Sequence, residues 1–144
     1  MRRFIFSYLI ICIILALLCC SCGFFGPQEY ICEINNVESI KIVKLDQYVN
    51  GEYRYEYTVL AEISDHAAFV QRLNNLDHRV NWGDPGRLQT GYVVIRVDYI
   101  NGDYDLIYPN AQWFNRDGVN DYGFFFFDVD QFDTLISDYT MGQN

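Results

Sequence analysis

Two Asn-Gly pairs set the frame of this chain. Asn50-Gly51-Glu52-Tyr53 and Asn101-Gly102-Asp103-Tyr104 match residue type by residue type, and each lies between segments rich in Ile, Val and Tyr. Asn-Gly supplies the two positive-φ positions that a two-residue hairpin turn needs, so each pair predicts two antiparallel strands. Residues 37–45 lead through Tyr48 and Val49 to the first turn, and residues 52–60 return. In the return strand Tyr53, Tyr55 and Tyr57 share one face, because side chains alternate with a period of two. In the second hairpin Val93, Ile95, Val97 and Tyr99 line one face, Arg96 and Asp98 the other. Residues 103–108 return, and Pro109 ends them.

A helix follows each hairpin. Ser64-Asp65 precedes Phe69, Val70, Leu73 and Leu76 at helical spacing, and Asp is a good N-cap. Asp128 starts a last helix with Gln131 at the capping-box position and the stripe Val129, Phe132, Leu135, Ile136, Tyr139. Between them, strands are expected at 112–115 and 123–127, joined by a turn over 116–121. Phe124-Phe125-Phe126-Phe127 fills both faces of its strand, which predicts a central strand covered on both sides. The expected fold is α+β: an antiparallel sheet of about five to six strands with two helices packed on one face, as a hairpin-helix pseudo-repeat.

The N-terminus says where such a domain resides. Arg2 and Arg3 precede the apolar run 4–18, and Cys19-Cys20-Ser21-Cys22-Gly23 follows. Basic residues resist translocation, the run has the length of a secretory h-region, and small residues suit a peptidase. The arrangement resembles a bacterial lipoprotein signal, whose cysteine is lipidated and becomes the mature N-terminus. Cys22 fits best, with Ser21 before it and Gly23 after. Cys20, with Leu17 three residues before it, is the runner-up, and an uncleaved signal anchor is the other alternative. The expected organisation is a signal over 1–22, a short tether over 23–30 and one domain over 31–144.

Four of the five cysteines lie in the signal, leaving Cys32 for the domain. If Cys22 is acylated, Cys32 has no intramolecular partner, and the domain folds without a disulfide despite an oxidising destination. Removing Arg2 and Arg3 leaves eight basic side chains against nineteen acidic ones, a net charge of −11. Such a surface repels nucleic acid phosphates and favours a basic protein or peptide.

The capped helix, Gly83-Asp84-Pro85, Gly91-Tyr92-Val93-Val94-Ile95, Tyr99-Ile100-Asn101-Gly102-Asp103-Tyr104 and the final Phe-rich strand with its helix are together similar to small uncharacterised lipoproteins of Gram-positive bacteria. The similarity spans residues 37–140. It implies no known activity and brings no catalytic residues with it.

The residues themselves offer little chemistry. His66 and His78 form no metal-spacing pair, and one mature cysteine cannot build a zinc site. Nucleophile elbows and phosphate-cradling glycine loops are absent. Residues 115–121 have an Asx-Gly flavour, but an EF-hand aligned on Asp117-Gly118 would need acids where Trp113 and Phe124 stand. No metal, cofactor or catalytic residue is expected. The segment 77–87 is the most chemically varied, and His78, Arg79, Trp82, Asp84 and Arg87 form a candidate binding loop, set against a connection whose Trp plugs the core. Tyr53, Tyr55 and Tyr57 form a candidate aromatic platform, set against a row buried under the helices. The expected function is a non-enzymatic, membrane-anchored extracytoplasmic lipoprotein that binds a protein or peptide partner at the cell envelope. A cell-wall glycan or small-ligand module is the alternative, and a small hydrolase ranks below both.

Overall fold

The computed structural model describes residues 30, 32–49, 54–80, 86–117, 119–123 and 125–141. The expected α+β architecture is present. A single 3-10 turn (Ile34–Asn36) leads into β1 (Val37–Val49), followed by β2 (Arg54–Glu62), helix α1 (His66–Asn74) and the short β3 (His78–Val80). Then come β4 (Val93–Tyr99), β5 (Tyr104–Tyr108), β6 (Ala111–Arg116), β7 (Val119–Gly123), β8 (Phe125–Phe127) and helix α2 (Val129–Thr140). Six strands form one sheet in the order β2-β1-β4-β5-β6-β7, with antiparallel pairing throughout.

Strand alternation sorts the side chains into two cores. Ile40, Ile42, Ile95, Val97, Tyr99 and Ile107 face the helices, where Phe69, Val70 and Leu73 of α1 and Phe132 and Leu135 of α2 cover them. Burying each such side chain stabilises by about 1.5–3 kcal/mol, so this layer is the main source of cohesion. Val43, Leu45, Val94, Leu106, Ala111 and Trp113 face the other way. Among the described residues no helix covers them. Leu88 closes that side, with Tyr55, Tyr57, Tyr92, Tyr104 and Tyr108 packed around it. Tyrosine suits this task because its ring covers apolar surface while its hydroxyl reaches water.

The caps act as the sequence suggests, with one rewiring. Asp65 accepts from Ala68 N at 3.0 Å, and Asp128 from Gln131 N at 2.9 Å. A capping box would return the Gln131 side chain to the Asp128 amide. Instead that amide donates to Asp77 O, while Gln131 Oε1 accepts from Asp77 N and Gln131 Nε2 donates to Asp77 Oδ2. The start of α2 is thereby clamped to the chain leaving α1.

The β4–β5 turn falls at its Asn-Gly pair as a three-residue loop in place of a two-residue one: Ile100, Asn101 and Gly102 separate Tyr99 from Asp103, Tyr99 N donates to Asp103 O at 2.9 Å, and of the Asn-Gly pair only Gly102 takes a positive φ. Gly102 sits at φ +89, and Asn101 Oδ1 accepts from Asp103 N at 3.1 Å. The first Asn-Gly pair lies outside the described residues, but β1 and β2 pair on either side of it, from Val49↔Arg54 onward.

Two expectations are corrected. The loop predicted over 77–87 begins as a strand, with His78–Val80 forming β3. The phenylalanine run is not a central strand of the sheet. Asp117 adopts a left-handed φ of 54, so Arg116 and Val119 pair across a tight turn and β7 takes the place beside β6. Phe125–Phe127 then leaves the sheet and pairs with β3. Gln112 joins the two sheets: its buried amide donates to Phe125 O at 3.0 Å and accepts from Phe125 N at 3.1 Å.

Candidate functional site

The densest polar cluster lies at the end of the sheet where the chain enters the domain. Strand β5 alternates Tyr104, Leu106 and Tyr108 on one face with Asp105 and Ile107 on the other, so Asp105 points into the helix-side core and is fully buried. An ionised carboxylate there is costly unless it is paired and hydrogen-bonded. Three side chains meet that need. Tyr30 OH donates at 3.0 Å, Tyr99 OH at 2.6 Å, and Arg116 donates from Nε at 2.9 Å and from a terminal nitrogen at 2.5 Å. Three of these donors converge on Oδ2 and one, Arg116 Nε, reaches Oδ1, so both oxygens of the buried carboxylate are hydrogen-bonded.

The partners are themselves held in place. Arg116 lies over Phe114 and Tyr99 at 5.0 and 5.6 Å. Tyr30 stacks on Phe114 at 5.8 Å and meets Phe125 and Phe127 edge-on. Tyr30, at the end of the expected tether, is therefore part of the core. Asn74 of α1 fixes Cys32 through its backbone: Cys32 N donates to Asn74 Oδ1 at 2.9 Å, and Asn74 Nδ2 donates to Cys32 O at 3.0 Å. Tyr99 OH reaches Cys32 Sγ at 3.9 Å.

Burial pushes the Tyr30 and Tyr99 phenols well above their ordinary value, and the negative charge of Asp105 pushes the same way. Burial also raises the Cys32 thiol, outweighing the opposing hydrogen bond from Tyr99. The bond to Asp105 raises Arg116. Tyr30, Tyr99 and Cys32 are thus held protonated, and Arg116 charged, around neutral pH. Acid–base or nucleophilic work uses a group whose pKa lies near the working pH, and the shifts of Tyr30, Tyr99 and Cys32 run away from it. Beside it opens a cleft of about 500 Å³ between Glu33, Asn36, Ile100, Asn101 and Asp103, with Tyr99 and Arg116 in its wall. Its acids are engaged within the chain: Glu33 accepts from Asn36, and Asp103 from Asn101 Nδ2 and the Asp117 amide.

A second charged group lies on the opposite face. Asp98 accepts from Ser39 Oγ at 2.8 Å, Lys41 Nζ at 3.3 Å and Arg96 Nε at 2.7 Å. Burial pushes the Asp98 carboxyl up, but Arg96, Ser39 and Lys41 outweigh it and hold the carboxyl below its ordinary range. The Arg96 guanidinium lies over the rings of Tyr104 at 4.3 Å and Tyr57 at 4.9 Å, a cation–π arrangement.

That arrangement bears on the tyrosine row. Tyr55 and Tyr57 lie on the face away from the helices, half-buried. Tyr55 OH donates to Leu88 O at 3.0 Å, its ring packs on Tyr48 at 5.0 Å, and the Tyr57 ring carries Arg96. Tyr53 lies outside the described residues.

Of the candidate loop, Trp82 and Asp84 also lie outside the described residues. His78 is half-buried against Phe127 and Phe125, and its Nδ1 donates to Leu76 O at 2.9 Å. Arg79 is exposed and lies over Phe126 at 5.4 Å. Arg87 is exposed next to the buried Leu88. His78 and Arg79 are neighbours on β3 whose rings and charges pack against β8. Among the described residues no group of three or more His, Cys, Asp or Glu side chains converges to hold a metal ion, and no helix is long and apolar enough to cross a membrane. The proposed lipidation positions, Cys20 and Cys22, fall outside the described residues.

Sequence reading did not single out Asp105, Arg116 or Tyr30. The available signal was an acid on the apolar-facing parity of β5, opposite in phase to Tyr104 and Tyr108.

Comparison with protein-family models, with curated proteins and with solved structures finds no match.

Proposed function

We propose that this chain is a lipid-anchored protein of the extracytoplasmic face of the cell membrane, and that its domain binds a protein or peptide partner without catalysing a reaction. The observation that carries the second half is the enclosure of Asp105: its buried carboxylate takes four hydrogen bonds from Tyr30, Tyr99 and Arg116, so this charge is committed inside the domain. What the domain offers to another molecule is then its surface. That surface belongs to a chain with a net charge of −11 beyond Arg3, which favours basic partners and repels nucleic acid. The first half is supported by the basic start, the apolar run and the cysteines of residues 1–22.

The test is capture of envelope proteins on the full chain, extracted in detergent, across a salt series. A specific protein retained at low salt and lost at moderate salt is the expected result, because charge attraction across an exposed interface is screened. Salt-insensitive retention on cell-wall material in place of any protein would contradict it and favour a glycan-binding role.

A further inference from the structure

Strand β2 ends the sheet. It pairs with β1 along one side, and among the described residues no strand pairs with its other side. An edge of this kind presents backbone donors and acceptors to any extended chain of suitable sequence. Two of its apolar side chains, Val59 and Leu60, are 42% and 41% exposed. Leu60 also lines a groove of about 540 Å³ that runs from the edge to helix α2, with Val93, Asp133, Ile136, Ser137 and Thr140 as its other walls.

The groove has a charge preference. Helix α2 contains no Lys or Arg, and its first-turn and middle acids, Asp130 and Asp133, are exposed. Its last turn brings Thr140 to the groove and has no base of its own, and the Arg72 of α1 that pairs with Asp138 and lies over Tyr139 is not among the groove's walls. On the edge itself Glu56 and Glu62 are exposed, with Arg54 at the far end of the strand as its one base. These acids discourage a second copy of an acidic chain from adding edge to edge. They leave an extended strand of opposite charge as the fitting occupant.

We propose that the β2 edge takes up an extended segment of a partner protein as a seventh strand, with an apolar side chain in the Leu60–Ile136 groove and a Lys or Arg two positions along beside Asp133 and the end of α2. Residues two apart in a strand share a face, so one segment satisfies both contacts. This inference rests on the partner-binding role proposed above and names the surface and the partner chemistry.

The test uses the full chain in detergent and a fluorescent octapeptide, Thr-Val-Thr-Lys-Thr-Val-Thr-Lys, followed by anisotropy at physiological salt. Binding is expected to saturate. Leu60→Lys and Asp133→Lys each weaken it at least about tenfold, whereas Glu38→Lys, an equal charge change elsewhere on the surface, shifts it less than about twofold. A version with Glu in place of Lys, and a version N-methylated at alternate residues to remove backbone donors, each bind at least about tenfold more weakly. All the substituted side chains are exposed, and an unchanged circular dichroism melt checks that they leave the fold intact. Absent saturation, equal binding of the N-methylated peptide, or an equal loss with Glu38→Lys overturns the proposal. So does a concentration-dependent doubling of mass that Leu60→Lys abolishes, which would assign the edge to a second copy. In the envelope capture, a partner that Leu60→Lys still retains overturns this surface while the partner-binding role stands. A wild-type chain that captures no protein removes the role itself.

Discussion

Arg116 closes over Asp105: two guanidinium nitrogens reach both carboxylate oxygens, at 2.9 and 2.5 Å, while the carboxylate is fully buried and the arginine side chain remains 46% exposed. The buried charge is thus neutralised by a cation that stays partly hydrated. This lowers the desolvation cost that a fully buried pair would carry on both sides.

Removing the cation leaves the carboxylate buried with two phenol donors alone. Arg116→Met is expected to destabilise the domain by about 3 kcal/mol, the low end for a broken buried pair because water can enter from the exposed side. The double variant Asp105→Asn, Arg116→Met should lose at least about 1 kcal/mol less than the sum of the single variants, since both act on one network. Urea unfolding of the four proteins measures both quantities. Additive losses would mean that the pair is not coupled.

Asp98 gives a pH signature. Its folded carboxyl is held below the ordinary value, so its contribution is present above the unfolded pKa of about 3.9 and is lost as pH falls through the lower folded value. Wild type is expected to be more stable than Asp98→Asn at pH 7, and the difference should shrink steadily below about pH 4. Chemical denaturation at several acidic pH values reads this directly. A gap that stays constant down to pH 2 would show that the interaction does not depend on the charge.

Tyr30, Tyr99 and Cys32 act at the other end of the scale. Their folded pKa values are raised, so the stability they contribute is fully present below their unfolded values and is lost as pH rises toward the folded ones. Alkaline destabilisation should therefore set in from about pH 8.5 for the thiol and about pH 10 for the phenols. Absorbance titration should show Tyr30 and Tyr99 among the tyrosines that ionise only with unfolding, a group that Tyr30→Phe and Tyr99→Phe each reduce by one. The Cys32 thiol, 2% exposed, should resist aromatic disulfide reagents until urea unfolds the domain.

Gln112 tests the joint between the sheets. Gln112→Leu keeps the bulk but orphans the Phe125 N–H and C=O, so about 2–3 kcal/mol of stability is expected to go. Hydrogen exchange should show protection lost first at β8 and β3, while β1 and β4 stay protected. Uniform loss across both sheets would contradict the hinge-like role of this side chain.

The parts of this fold that were legible in the sequence depend on local chemistry. Asn101-Gly102 marks the place of its turn, though not its length, Asp65 and Asp128 cap helices whose stripes follow at fixed spacing, and the parity of β4 sorts its faces. What was hidden depends on partners far away in sequence. Asp105 is read from sequence as one more polar residue of a hairpin strand, and only Tyr30, 75 residues earlier, and Arg116, eleven later, make its burial tolerable. The phenylalanine run has the apolar pattern of a central strand, yet the left-handed Asp117 and the Gln112 side chain divert it into a second sheet. The tyrosine row was expected as either a platform or a core under the helices, and its described members, Tyr55 and Tyr57, lie half-buried on the face away from α1 and α2, with Arg96 over Tyr57.

The central claim is the anchor, and the intact mass of membrane-extracted protein tests it most directly. The account predicts a wild-type chain that begins at Cys22 and carries the added mass of lipid, with Cys22→Ala left uncleaved and unlipidated and Cys20→Ala processed normally. A wild-type chain of full length and without lipid would contradict it.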